Sequence, residues 1–143
     1  MAARQAIMPA TAVLAGLWVL HASIRPASAE QPPAPAATAA PALEKLKGRW
    51  LRDSGGYIIE IRSVGPAGKV DAAYFNPKSI HVAKAEASQE GAITKVFIEL
   101  RDVNYPGSTY RLTYDPGQDR LKGTYFQAVA KETYAIAFVR QKP

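Results

Sequence analysis

Alternation of apolar and polar residues in the segment 96–114 constrains the fold of this chain more than any other feature of its sequence. The residues 96–100 read VFIEL and the residues 110–114 read YRLTY. Successive side chains of a β-strand point to opposite faces, so each run predicts a strand with one apolar face. The residues 104–107 between them read NYPG, which favours a tight turn because proline presets φ and glycine accepts a positive φ. The segment therefore predicts a β-hairpin.

The rest of the sequence predicts an all-β fold without a helix longer than one turn. Short connections make neighbours in sequence neighbours in the sheet, which predicts an antiparallel meander. The predicted fold is an eight-stranded up-and-down barrel, because closure removes exposed edges; a flattened sandwich is the alternative. Such a barrel is either filled by side chains or holds one small ligand. Besides the hairpin, strands are predicted at 48–52, 57–64, 69–75, 79–88, 120–127 and 132–140.

Residues 1–29 have the pattern of a secretory signal peptide. Arg4 supplies a positive start, the run from Ala6 to Leu20 is nearly all apolar, and Ala-Ser-Ala at 27–29 fits the small-x-small pattern of a cleavage site. A retained membrane anchor is the alternative, but a bilayer span needs about 20 apolar residues, and a cleavage site follows this shorter run. The sequence therefore predicts a periplasmic or secreted protein with no membrane span after signal removal.

The predicted mature chain consists of a linker, residues 30–42, and a single β-barrel domain, residues 43–143. The linker is rich in Pro and Ala, lacks hydrophobic periodicity and is predicted to be disordered. Without Arg4 and Arg25 of the signal, the 18 Lys and Arg residues fall to 16 against 12 Asp and Glu, a net charge of +4. These cations are scattered, which does not favour nucleic-acid binding. The lack of cysteine excludes disulfides and thiolate chemistry.

Gly48 and Trp50, in the first predicted strand, form a Gly-x-Trp pattern, and Arg140 ends the last predicted strand. The pattern resembles the signature of lipocalins and of the related avidin-like barrels. The resemblance implies a barrel of this form, in which the tryptophan closes one end and the arginine stacks across it. A guanidinium plane packs well on an indole face. The segment 99–110 is also similar to small secreted bacterial proteins of unassigned function, so the resemblance bears on the fold more than on an activity.

Tyrosines within the predicted strands indicate a ligand site. A tyrosine offers a ring for packing and a hydroxyl for hydrogen bonding, which suits a small amphipathic ligand; the alternative is that the rings fill the barrel. Polar side chains near the 104–107 turn would contact the ligand at the barrel mouth, although an exposed Glu99–Arg101 ion pair is an alternative for the arginine. Asn76 either organises a turn or presents its amide to the cavity. The predicted ligand-binding residues are Arg101, Asn104, Tyr105, Tyr110, Tyr125 and Asn76.

The sequence contains no set of residues with the spacing of a catalytic or metal site. His81 is the one histidine outside the predicted signal, and no Gly-x-Ser-x-Gly motif is present. A structural role for His81 is favoured over catalysis and over ligand contact. The sequence therefore predicts a non-catalytic binding protein without cofactor or metal. A protein–protein interaction module, such as an inhibitor or an envelope accessory factor, is the alternative.

Overall fold

A computed structural model describes residues 36–142, in which nine strands follow one short helix. The predicted signal peptide, residues 1–29, and the first part of the predicted linker lie outside the described residues. A 3₁₀ turn at Pro66–Gly68 separates the second and third strands. The elements are α1 (Ala36–Glu44), β1 (Gly48–Arg52), β2 (Ile58–Val64), β3 (Val70–Asn76), β4 (Lys78–Ile80), β5 (Val82–Glu90), β6 (Ile93–Asp102), β7 (Tyr105–Asp115), β8 (Arg120–Gln127) and β9 (Glu132–Arg140).

The strands form one antiparallel sheet that curls into a nearly closed barrel. Their order in the sheet is β4-β3-β2-β1-β9-β8-β7-β6-β5. The first and last strands are neighbours, since Trp50 pairs with Arg140 and Leu51 with Val139. The all-β fold and the antiparallel pairing are confirmed.

The strand predicted at 79–88 is two strands in the structure, which raises the count from eight to nine. β4 pairs with β3, whereas β5 pairs with β6. His81 lies between them, where its backbone N–H donates to Asp102 Oδ2 at 2.8 Å and its carbonyl accepts from the Arg101 N–H at 3.1 Å. The chain thus passes from one edge of the sheet to the other at this residue. The inward positions change phase just after the crossing, from Ile80 and Val82 to Ala85 and Ala87, where the pairing with β6 has a register shift.

The two ends of the sheet approach each other where β3 faces β5, and we call this gap in the barrel wall the seam. A bridge between Lys69 and Glu86 connects its two sides. Gly68 lies close against β5 with a φ of +79°, and a Cβ at this position would lie 2.0 Å from the Ala87 carbonyl oxygen. A side chain at residue 68 is therefore incompatible with the approach of the two edges.

The β6–β7 hairpin turns at residues 103–104, so the prediction of a turn at Pro106-Gly107 was wrong. Asn104 adopts a φ of +68°, which asparagine tolerates better than most residues. Pro106 lies inside β7 opposite Arg101, and Gly107, with a φ of +94°, is the extra residue of a β-bulge. A glycine at positive φ suits a turn and a bulge equally, and the pairing with β6 decides between them.

The helix α1 occupies part of the segment that the sequence predicted to be disordered, and it is longer than one turn. Its sequence, AATAAPALE, is rich in alanine, the residue with the highest helix propensity, and Pro41 removes one backbone donor. Leu43 packs against the barrel core, and Leu46, just beyond the helix, is fully buried. These contacts with the barrel are tertiary interactions that composition does not reveal.

Buried side chains at alternate strand positions form the barrel core. Val96, Ile98 and Leu100 of β6 are at most 2% exposed, as are Tyr110 and Leu112 of β7. These residues form the apolar faces from which the central hairpin was predicted. Their burial confirms that these faces point into the core.

Candidate functional site

Trp50 and Arg140 close one end of the barrel. Trp50 is fully buried, and its Nε1 donates a hydrogen bond to the Leu46 carbonyl oxygen at 2.8 Å. The Arg140 guanidinium lies over the indole, with Cζ 4.1 Å from the ring centroid. Gly48 leaves space for this stack, because a Cβ there would lie 2.8 Å from Arg140 Nη1. The three residues predicted to be structural are thus in contact at the closed end.

Hydrogen bonds fix the Arg140 guanidinium on this stack. Its Nε donates to Asp119 Oδ2 at 2.7 Å, and its two Nη groups donate to the carbonyl oxygens of Lys47 at 2.5 Å and Lys45 at 2.6 Å. The hydrogen bond from Arg140 holds the pKa of the Asp119 carboxyl below its ordinary value of 3.8. Tyr114, whose hydroxyl also donates to Asp119, extends the network at 3.0 Å. The last strand is thereby tied to the segment that precedes β1.

Beyond this closed end, the other end of the barrel contains a cavity of about 560 Å³, which we call the mouth cavity. Its walls combine aromatic rings with the amides of Asn76 and Gln127, and its charged residues are Arg52 and Lys78. Of the predicted ligand-binding residues, Asn76, Asn104, Tyr105 and Tyr125 line it. Its five tyrosines are Tyr57, Tyr74, Tyr105, Tyr125 and Tyr134.

A network of buried tyrosines forms the floor of the mouth cavity. The hydroxyls of Tyr74 and Tyr110 share a hydrogen bond of 2.9 Å. Tyr110, which the sequence predicted as a ligand contact, is fully buried beneath the cavity and stacks on Tyr125 with ring centroids 4.5 Å apart. Burial raises the pKa of Tyr74 and of Tyr110 well above the ordinary value of 10.0. Both phenols are therefore neutral hydrogen-bonding groups at physiological pH.

Asn76 and Tyr105 are joined across the mouth. The Asn76 Nδ2 donates to the Tyr105 hydroxyl oxygen at 2.5 Å. The bond connects β3 with β7, which are not adjacent in the sheet. The ring of Tyr105 also packs edge-on against Tyr74, with centroids 6.1 Å apart. These contacts fix the orientation of two predicted ligand-binding residues.

Arg101 and Asn104 have different environments, although both lie near the β6–β7 turn. Asn104 lines the mouth cavity. The Arg101 guanidinium is exposed, and its Nε bonds Glu99 Oε1 at 2.6 Å. Arg101 is not among the residues that line the cavity, and its ion pair is the alternative that the sequence offered. An exposed pair of this kind contributes little stability.

Arg52 is a cavity residue that the sequence did not predict, as are Lys78, Ile80 and Val103. Its Cζ lies 5.0 Å from the ring centroid of Tyr57 and 5.8 Å from that of Tyr125. Its Nε is buried without a hydrogen-bond partner among residues 36–142. A signal was present in the sequence, because Arg52 follows Trp50 by two positions and so shares its face of the strand. Gln127 follows Tyr125 by the same spacing.

His81 does not belong to the mouth cavity, and its side chain is exposed. Its backbone forms the contacts at the strand crossing. Within the described part of the chain, no group of three or more His, Asp or Glu side chains has the arrangement needed to hold a metal ion.

Comparisons with protein-family models, with curated proteins and with solved structures gave no match to this chain. None of the described residues, 36–142, forms a helix with the length and hydrophobicity of a membrane span. Function is therefore inferred from the geometry and chemistry of the mouth cavity.

Proposed function

We propose that this protein binds a small amphipathic ligand in the mouth cavity without catalysing a reaction. The observation that carries the proposal is the cavity itself, with a volume of about 560 Å³ and five tyrosines in its walls. Pockets for small molecules typically measure about 300–1,000 Å³. The two most deeply buried tyrosines, Tyr74 and Tyr110, help to fill the barrel beneath this space.

The walls of the cavity favour a ligand that has both an apolar and a polar part. Tyr57 and Tyr74 lie nearly parallel, at an interplanar angle of 13°, and contribute aromatic rings to the walls. The amides of Asn76 and Gln127 and the tyrosine hydroxyls supply hydrogen-bonding groups beside these rings. Apolar contact gives most of the affinity in such pockets, and the few polar groups fix the orientation of the ligand.

The barrel is proposed to be of lipocalin- or avidin-like form. The contact of Gly48, Trp50 and Arg140 at the closed end supports this form, because it is the arrangement that the resemblance implies. An end closed in this way leaves the opposite end for the ligand. We also propose that the protein is exported to the periplasm or secreted, a proposal that rests on the signal-like residues 1–29.

The absence of catalytic groups around the cavity supports binding without catalysis. Among the described residues, those that line the mouth cavity include no carboxylate, histidine, serine or threonine. Its walls therefore contain neither a serine–histidine pair nor a pair of carboxylates, two common catalytic arrangements.

A protein partner is the second candidate, and it is supported by exposed apolar residues at the same end of the barrel. Val103 in the β6–β7 turn is 79% exposed, and Val129 in the β8–β9 turn is 61% exposed. Turns that carry exposed valines beside a cavity suit contact with an apolar protein surface. In this case the rim turns, rather than the cavity walls, would carry the affinity.

A ligand screen tests the first candidate. A metabolite library is screened by thermal shift, and hits are measured by calorimetry on the parent protein and on Tyr105→Ala, which removes a cavity wall. We expect this variant to bind about tenfold more weakly, a loss of about 1.4 kcal/mol. Tyr114→Ala is the control, since it removes a ring at the closed end and should leave the affinity of the folded protein unchanged. If no compound binds, or both variants weaken binding equally, the cavity is not the site.

A further inference from the structure

We propose that the ligand of the mouth cavity is a small carboxylic acid, whose carboxylate pairs with Arg52 while its apolar body packs against the tyrosine rings. This inference rests on the proposed binding function and adds the chemical class of the ligand.

Arg52 has a positive charge that the described chain does not neutralise. Its guanidinium makes no hydrogen bond or ion pair with any of residues 36–142, and its Nε is buried. Arg101, Arg120 and Arg140, by contrast, each pair with a carboxylate. An anion from outside the chain would supply the missing acceptor.

The two tyrosines beside Arg52 hold its guanidinium without using its hydrogen-bond donors. The cation lies over the rings of Tyr57 and Tyr125, and these contacts stabilise it through the ring electrons. The N–H bonds of its two Nη groups point outward in the guanidinium plane, so they stay available to an acceptor. Two parallel N–H groups of a guanidinium match the two oxygens of a carboxylate, which gives arginine its preference for this group.

The charges around the mouth cavity favour an anion. Arg52 and Lys78 are the charged residues in its walls, and no acidic residue of the described chain lines it. The nearby carboxylates are already bonded: Asp53 pairs with Arg120, and Glu132 accepts a hydrogen bond from the Tyr134 hydroxyl. The walls of the cavity therefore carry two positive charges and no negative charge, which favours an anion.

Matched pairs of acids and amides test the proposal. Calorimetry is performed on the full chain with phenylacetate, 3-phenylpropionate and octanoate, with the primary amide of each, and with phenyl phosphate. We expect at least one acid to bind roughly 10- to 100-fold more tightly than its amide, because the amide keeps the apolar body but loses the charge-assisted hydrogen bonds. In Arg52→Gln the acid should lose this advantage while the amide keeps its affinity. The unchanged amide affinity shows that the cavity is intact.

Arg49→Gln is the matched control, because Arg49 belongs to the same strand and lies over the Phe75 ring, but on the outside of the barrel. It should bind the acids as the parent does. Arg52→Lys keeps the charge without the planar donors and should fall between the parent and Arg52→Gln. If acid and amide bind equally, if Arg52→Gln leaves acid binding unchanged, or if phenyl phosphate binds more tightly than every acid, the carboxylate inference is wrong while cavity binding stands. If none of these compounds binds, amides included, and the library screen also gives no ligand, both proposals fall.

Discussion

Replacing Arg140 with methionine tests how much the closed end of the barrel contributes to stability. Methionine keeps an apolar stem over Trp50 but removes four interactions of the guanidinium. The two hydrogen bonds to backbone carbonyls contribute about 0.5–1.5 kcal/mol each, and the contact with the indole about 0.5–2 kcal/mol. The partly exposed ion pair with Asp119 adds about 0.2–1 kcal/mol. Arg140→Met should therefore lower the free energy of unfolding by about 2–6 kcal/mol.

Urea unfolding followed by far-UV circular dichroism measures this change. With a slope of about 1–3 kcal/mol per molar urea, the midpoint should fall by roughly 1–3 M, and the melting temperature by roughly 10 °C or more. Arg120→Met is the control, since its pair with Asp53 is long, at 3.7 Å, and joins side chains that are 42% and 48% exposed. Its cost should stay within about 0.5 kcal/mol. Equal losses in the two variants would refute the stabilising role assigned to the stack.

The acid dependence of stability provides a second measure of the same contact. The folded-state pKa of Asp119 lies below its ordinary 3.8, so its bond with Arg140 stabilises the fold fully above that value. The stabilisation is lost as the pH falls through the lowered pKa, because the unfolded state takes up the proton first. The difference in stability between the parent and Arg140→Met should therefore narrow below about pH 4. A difference that stays constant down to pH 2 would contradict this linkage.

Three further predictions concern the strands and the floor of the cavity. Gly123→Ala should destabilise the fold by about 3 kcal/mol or more in urea unfolding, because its Cβ would lie 1.9 Å from the Arg111 carbonyl oxygen. Gly91→Ala is the control: Gly91 has open space around it, and the change should cost only about 1 kcal/mol. Tyr110→Phe should lower the free energy of unfolding by about 1–3 kcal/mol, because it leaves the buried Tyr74 hydroxyl unpaired. The double variant with Tyr74→Phe should lose less than the sum of the two single variants. Additive losses would exclude the hydrogen bond. Because the pKa of both phenols is raised, their contribution is complete below pH 10 and falls above it, so ultraviolet titration should show Tyr74 and Tyr110 ionising only as the protein unfolds.

The parts of the fold that the sequence predicted are those that local alternation determines. Ile59 and Ile61 of β2 and Phe138 of β9 are buried, as a period of two requires of a strand with one face inside a barrel. Alternation also places Trp50 on the inward face. Its contact with Arg140 was expected from the resemblance to lipocalins and avidin-like barrels, and no property of either residue alone predicts it.

The features that the sequence did not predict depend on contacts between distant segments. The strand crossing at His81 is set by its bonds to the end of β6, and the position of the β6–β7 turn is set by the pairing of Pro106 with Arg101. For the candidate site, the sequence identified the tyrosines and Asn76 but passed over Arg52. Arg52 ends the strand predicted at 48–52, and only the folded barrel shows that it lies over two tyrosine rings with its Nε unpartnered.

The seam between β3 and β5 makes the barrel wall unequal around its circumference. Neighbouring strands elsewhere pair over several residues, whereas a bridge between Lys69 and Glu86 joins the wall here. Partial opening of a protein follows the line where the fewest backbone bonds must break. The barrel should therefore open first along the seam. Gly68 opposes this opening, because its lack of a side chain lets the two edges pack closely together.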